Sequence, residues 1–187
     1  FQYWEAIQDG TVTVGKWIKT IYEILVNGLK SGKWDFDEEK ANKAINFIEN
    51  FCHHSEGRND LLKLELWQKA IVSAIFGIMD KRTGYRQFRE VFIVVARKNG
   101  KTLFAAAIAA YMAYIDGEYG AKVYFLAPKL DQADLVYDAF YQIVQADDEL
   151  DSITKKRRSD IYIKEFNTSV KKIAFNSKKS DGFNPQM

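Results

Sequence analysis

The chain has 187 residues, 47% of them apolar and 14% aromatic, enough to bury a core in one or two domains. A net charge of +2 excludes a bulk electrostatic case for nucleic acid, so any such surface must come from local patches. One cysteine excludes an internal disulfide framework and suits a reducing cytoplasm, and no uncharged run approaches the roughly 18 residues of a membrane span.

The N-terminal third reads as helical. Val14, Ile18, Ile21, Tyr22, Leu25 and Leu29 recur at helical spacing, predicting a helix over 14–30 with that face inward and Gly32 after it. Asp35 and Asp37 are candidate caps for a second helix, where Ala41, Ala44, Ile45, Ile48, Phe51 and Cys52 repeat at three and four. Cys52-His53-His54 reads as a helix end and not a metal site. Neighbouring helical side chains diverge by about 100°, and no further Cys or His completes four ligands. Gly57-Arg58-Asn59-Asp60 is a polar break, placing a boundary between a helical subdomain, 1–58, and a second domain, 59–187.

Residues 66–79 predict a helix with Trp67, Ala70, Ile71, Ala74, Ile75 and Ile78 inward and Gln68 just off that stripe. Residues 82–90 form a turn whose arginines read as solvated. Then 91–96 (V-F-I-V-V-A) is a β-branched apolar run, as expected of a parallel strand buried on both faces. Arg97-Lys98-Asn99-Gly100-Lys101-Thr102 follows, and 103–115, apolar almost all round, predicts a buried helix.

A strand, a loop ending Gly-Lys-Thr and a helix together give a phosphate-loop match its physical content. Amides at a helix start are unpaired and carry partial positive charge, which suits a polyphosphate. Gly100 admits close approach, Lys101 can neutralise the β- and γ-phosphates, and the Thr102 hydroxyl can ligate Mg²⁺. The strict pattern has glycine at position 95, where this chain has Val95. The competing reading is an Asn-Gly surface turn, which requires neither Arg-Lys before it nor an apolar helix after it.

Lys122–Ala127 is a second apolar strand ended by Pro128, and 131–145 is amphipathic through Ala133, Val136, Phe140, Ile143 and Val144. This alternation implies an α/β fold with a parallel sheet, right-handed crossovers and ligands at the carboxyl ends of strands, where 96–101 lies. Asp147-Asp148-Glu149 and Lys155-Lys156-Arg157-Arg158 make a sign change across a loop, the basic tetrad being either solvated or set on DNA phosphates. Residues 161–166 and 170–175, separated by Asn167-Thr168-Ser169, predict a hairpin with Lys171 and Lys172 outward; 177–182 is polar.

The loop A-R-K-N-G-K-T, with arginine after the strand and no first glycine, resembles the deviant Walker A of large terminase subunits, the DNA-packaging motors of tailed bacteriophages. Leu66-Trp67-Gln68, Phe76-Gly77, Tyr124-Phe125-Leu126-Ala127-Pro128, Asp131-Gln132-Ala133 and Asp181-Gly182-Phe183-Asn184-Pro185 are similar to further elements of that family. The resemblance implies a P-loop NTPase sheet flanked by helices, preceded by a small helical region. It implies ATP and Mg²⁺ as ligands, with Lys101 and Arg97 catalytic and Arg97, Lys98, Asn99, Gly100, Lys101 and Thr102 on the nucleotide. Thr102 would sit on Mg²⁺ and Gln68 on adenine, a base its amide can read in one plane.

The implied function is an ATPase motor that packages double-stranded viral DNA into a procapsid in the host cytoplasm. Its implied partners are the portal protein and the small terminase subunit, with a homo-oligomeric ring when docked and no membrane. No apolar run ending in Asp-Glu follows Thr102, and no nuclease carboxylate site is evident. The expectation is therefore an N-terminal fragment that holds part of the nucleotide pocket and hydrolyses ATP poorly. A superfamily-two helicase or another P-loop ATPase would share Gln68 and the loop, and a helical interaction module without nucleotide is a third reading.

Overall fold

Two stretches, Phe1–Asn46 and Lys63–Ile93, fold together as one unit; Phe47–Leu62 and Val94–Met187 make a second. The computed structural model describes residues 1–54 and 57–174.

In the first unit, α1 (Gln2–Gln8) was not evident as a periodic segment, and it changes which face of α2 (Lys16–Lys30) is covered. Trp4, Ile7 and Val26 are buried together, with Tyr3, Val12, Val14 and Tyr22 packed around them. The Tyr3 and Tyr22 rings meet edge-on at 4.9 Å. Ile18 and Ile21, expected inward, are 41% and 51% exposed, because α1 occupies the side of α2 that carries Tyr22 and Val26.

β1 (Asp35–Phe36) leads into α3 (Glu38–Phe51), whose first turn is capped by Asp37: its Oδ1 accepts from the Lys40 amide at 2.9 Å. Asp35 is no cap; it pairs with Lys81 at 3.4 Å. α4 (Leu66–Gly77) stops two residues short of its predicted end, because β2 (Ile78–Met79) pairs antiparallel with β1. The buried Phe76 ring lies under the Arg86 guanidinium at 5.4 Å, so this arginine is not a solvated loop charge. The adjoining turn is closed by Asp80 Oδ1, which accepts from the Arg82 and Thr83 amides at 2.8 and 2.9 Å.

The apolar run 91–96 is not a strand among the described residues, contrary to expectation. It has no ladder partner, and Phe92 and Val94 are 93% and 80% exposed. A buried parallel strand needs paired strands along its edges and helices over its faces, and among the described residues no strand pairs with 91–96.

In the second unit, α5 (Lys101–Tyr111) runs into a π-helical turn, Met112–Asp116. β3 (Lys122–Ala127), α6 (Leu130–Ala146), α7 (Asp148–Ile153), β4 (Thr154–Lys156), β5 (Ile161–Ile163) and β6 (Thr168–Ala174) follow. The fold is α/β, as expected, with helices against a four-stranded sheet of order β3-β6-β5-β4. The sheet is mixed: β3 and β6 are parallel, and the β4–β5 and β5–β6 pairs are antiparallel.

α6 packs on β3 and β6, and α5 packs on α6. Phe140 stacks with Tyr114 at 6.4 Å and meets Phe125 at 6.0 Å, while Phe47 lies against Tyr111 and Tyr114. The Tyr114 hydroxyl reaches Thr154 Oγ1 at 2.6 Å, and that hydroxyl donates to the Leu150 carbonyl.

Three local expectations change. The acidic stretch is a helix start, not a loop: Asp147 caps α7 by accepting from the Glu149 and Leu150 amides at 3.0 Å, where acids also suit the helix dipole. The hairpin turns at residues 164–167, with Asn167 at φ 54°, so Thr168 and Ser169 belong to β6. Lys172 does not point to solvent; its ammonium lies 2.7 Å from Asp134 Oδ1 and over the Tyr137 ring. Phe175, the stretch 177–182 and the segment 181–185 lie outside the described residues.

Candidate phosphate-binding loop

The loop before α5 is shaped by its own sequence. The Asn99 side-chain amide donates to the carbonyls of Ala96 (3.3 Å) and Arg97 (3.2 Å), folding the chain back on itself. Lys98 and Gly100 both take left-handed conformations, at φ 67° and 64°. For a residue with a Cβ this costs about 1–2 kcal/mol, and backbone held this way concentrates at binding and catalytic sites. A Cβ on Gly100 would meet nothing within 4 Å. Glycine is therefore set here by backbone conformation, and the space beside it is open.

Gly100 is the N-cap of α5, and among the described residues no side chain caps that helix. The Gly100 carbonyl accepts from the Phe104 amide at 2.9 Å, so the helix starts cleanly. The first amides of a helix have no intrahelical acceptor and carry the positive end of its dipole. Alternating left-handed residues add the kind of backbone concavity that binds anions. Arg97, Lys98 and Lys101 are exposed, and among the described residues none forms an ion pair. The half-buried Thr102 hydroxyl has no partner among the described residues. It is a hard oxygen of the kind Mg²⁺ takes alongside phosphate oxygens and water, so the residues present fit that ion.

Gln68 belongs to the first unit and sits in a setting that the sequence reading missed. It is buried at 8% exposure, not solvated beside the stripe. It is the third residue of α4 and closes a capping box: Glu65 accepts from the Gln68 backbone amide, and Gln68 Oε1 accepts from the Glu65 amide at 2.9 Å. The signal was present as Glu65-x-x-Gln68 ahead of an apolar run. This bond fixes the amide's orientation and leaves Nε2, with two donors, without a partner among the described residues.

The Cys52 region is built differently. Burial, then the nearby Asp147, pushes the Cys52 thiol up to about 12. His53 Nδ1 lies 3.0 Å from the Asn59 carbonyl, and His54 Nε2 meets Arg58.

A family model described as the ATPase domain of the terminase large subunit matches residues 66–187. Among solved structures, the HK97 bacteriophage large terminase is similar in fold, with a TM-score of 0.66 and 24% identity. That likeness covers 78% of this chain and 29% of the other, so the chain spans under a third of the HK97 protein's length. No curated protein matches.

Proposed function

The chain belongs to the family of terminase large-subunit ATPase domains, and on that premise we propose that its 96–102 loop binds the triphosphate of ATP. The observation that carries this is the uncapped start of α5, where left-handed Gly100 is followed by Lys101 and Thr102. The first-turn amides grip the phosphate oxygens. Lys101 adds a point charge on the β- and γ-phosphates, and Arg97, three residues before Gly100 and without an ion pair among the described residues, offsets negative charge as the terminal phosphoryl group leaves. Lys98 and Asn99 give the loop its cationic rim and its fold. Thr102 would hold Mg²⁺, which would supply positive charge against the phosphates. Gln68, its amide oriented by the capping box, keeps an Nε2 donor of the kind that pairs with a purine acceptor.

In the whole protein this domain serves a phage motor that packages double-stranded DNA, working with a portal, a small subunit and further copies of itself in the host cytoplasm. No described helix is long and apolar enough to cross a membrane. Titration with a fluorescent ATP analogue in Mg²⁺ tests the nucleotide reading. Micromolar binding that Lys101→Ala weakens at least tenfold supports it; equal binding by the variant refutes it.

A further inference from the structure

The basic tetrad acquires a meaning from sheet register that its sequence did not carry. Residues 154–174 hold seven Lys and Arg against two acids, in a chain whose net charge is only +2. One of those acids, Asp160, is buried and joined to Arg157 through two bonds of 2.7 Å.

Strand pairing aligns Lys155 with Tyr162, Tyr162 with Ser169, and Ser169 with Lys122, one row across all four strands. Lys171, beside Tyr124, falls in the next row on the same face, because side chains alternate along a strand. Val123, Phe125 and Lys172 fall on the opposite face, where Phe125 meets Tyr137 and Phe140 of α6 and Lys172 meets Asp134 and Tyr137. Lys156 also falls there, over the Tyr141 ring at 3.9 Å. The face away from α6 thus collects Lys122, Lys155 and Lys171, with Arg157 set over the Tyr162 ring at 4.0 Å. Lys122, Lys155 and Arg157 are exposed, and no carboxylate falls in either row.

We infer that this sheet face is a contact surface for the phosphate backbone of nucleic acid. Lys155 and Lys122 stand three inter-strand spacings apart, about 14 Å, close to the spread of phosphates flanking a DNA groove of about 12 Å. The face grips backbone and does not stack on bases: the Tyr162 ring is occupied by Arg157, and its hydroxyl donates to Asn167 Oδ1 at 2.9 Å. Lysine on β4 and β3 also guards exposed sheet edges, but Lys171 lies on an interior strand, where no edge needs guarding.

The inference rests on the DNA half of the proposed function and is separable from it. A labelled 20-bp duplex is titrated by fluorescence anisotropy over a salt series, without nucleotide. Lys122→Glu/Lys155→Glu is expected to weaken binding at least tenfold and to lower the log–log salt slope by about 2. Lys19→Glu/Lys43→Glu, the same charge change in the first unit, should stay within twofold. The milder Lys122→Gln/Lys155→Gln pair, with melting curves for all variants, separates lost contact from lost fold. Equal losses in the two Glu pairs, or no loss in either, overturn the sheet-face assignment while leaving DNA binding in place. Absence of duplex binding by the wild type overturns both. Displacement of the duplex by polyglutamate at equal charge concentration would instead assign the face to an acidic protein segment.

Discussion

Gln68 shows how one side chain can be read two ways and then tested. Gln68→Glu keeps the acceptor that closes the capping box with the Glu65 amide, since glutamate serves that position equally well. It replaces the free Nε2 donor by an acceptor. The expected result is a lower melting temperature, since a carboxylate is then buried beside Glu65, while the protein stays folded and ATP-analogue affinity falls about tenfold, the order of one lost hydrogen bond to a ligand. Unchanged affinity would leave Gln68 as a helix cap only. Lys98 gives the converse test: Lys98→Gly removes the cost of φ 67° and should raise stability by about 1 kcal/mol in urea unfolding, while weakening nucleotide binding. The capping box was legible as Glu65-x-x-Gln68. The left-handed turn at Lys98 was not, because only glycine, asparagine or aspartate advertise that conformation in sequence.

Among the elements, legibility followed how locally each is determined. Lys122–Ala127 was readable to the residue because an apolar run ends at Pro128. The helix after the loop was legible in kind but not in its bounds: expected over 103–115, it runs over Lys101–Tyr111 and gives way to the π-helical turn. The 91–96 run failed because an apolar run records affinity for neighbours but not whether neighbours are in place. The stripe on α2 failed for a related reason: Ile18 and Ile21 are periodic, yet α1 chose the adjacent side. Phe76-Gly77, singled out by resemblance, now has a packing cause. A Cβ at Gly77 would stand 2.6 Å from Phe36 Cε2 and 2.9 Å from Ala41 Cβ. Gly77→Ala should therefore destabilise the protein by about 1–3 kcal/mol through overpacking, read as a lower urea midpoint with an unchanged slope.

For the whole molecule, several acids that gain a proton-retaining environment on folding set an alkaline limit. Burial raises the Cys52 thiol to about 12 and also raises Tyr22 and Tyr114. A group raised on folding contributes its stability below its unfolded value, about 8.5 for Cys and 10 for Tyr, and loses it as pH climbs toward the folded value. Stability should thus be flat through neutral pH and fall from about pH 9 toward 12. Urea midpoints across that range check the slope, and native Cys52 should resist alkylation at pH 8 while reacting promptly in denaturant.

Phosphate binding at the start of α5 is the step on which the proposed nucleotide site depends. Its most direct test is the amide NMR spectrum of residues 97–102 during titration with a non-hydrolysable ATP analogue and Mg²⁺. The Gly100, Lys101 and Thr102 amides should shift saturably at the same midpoint, and Lys101→Ala should raise that midpoint at least tenfold. Silent loop amides in the presence of saturating nucleotide, or a midpoint that Lys101→Ala leaves unchanged, would contradict it.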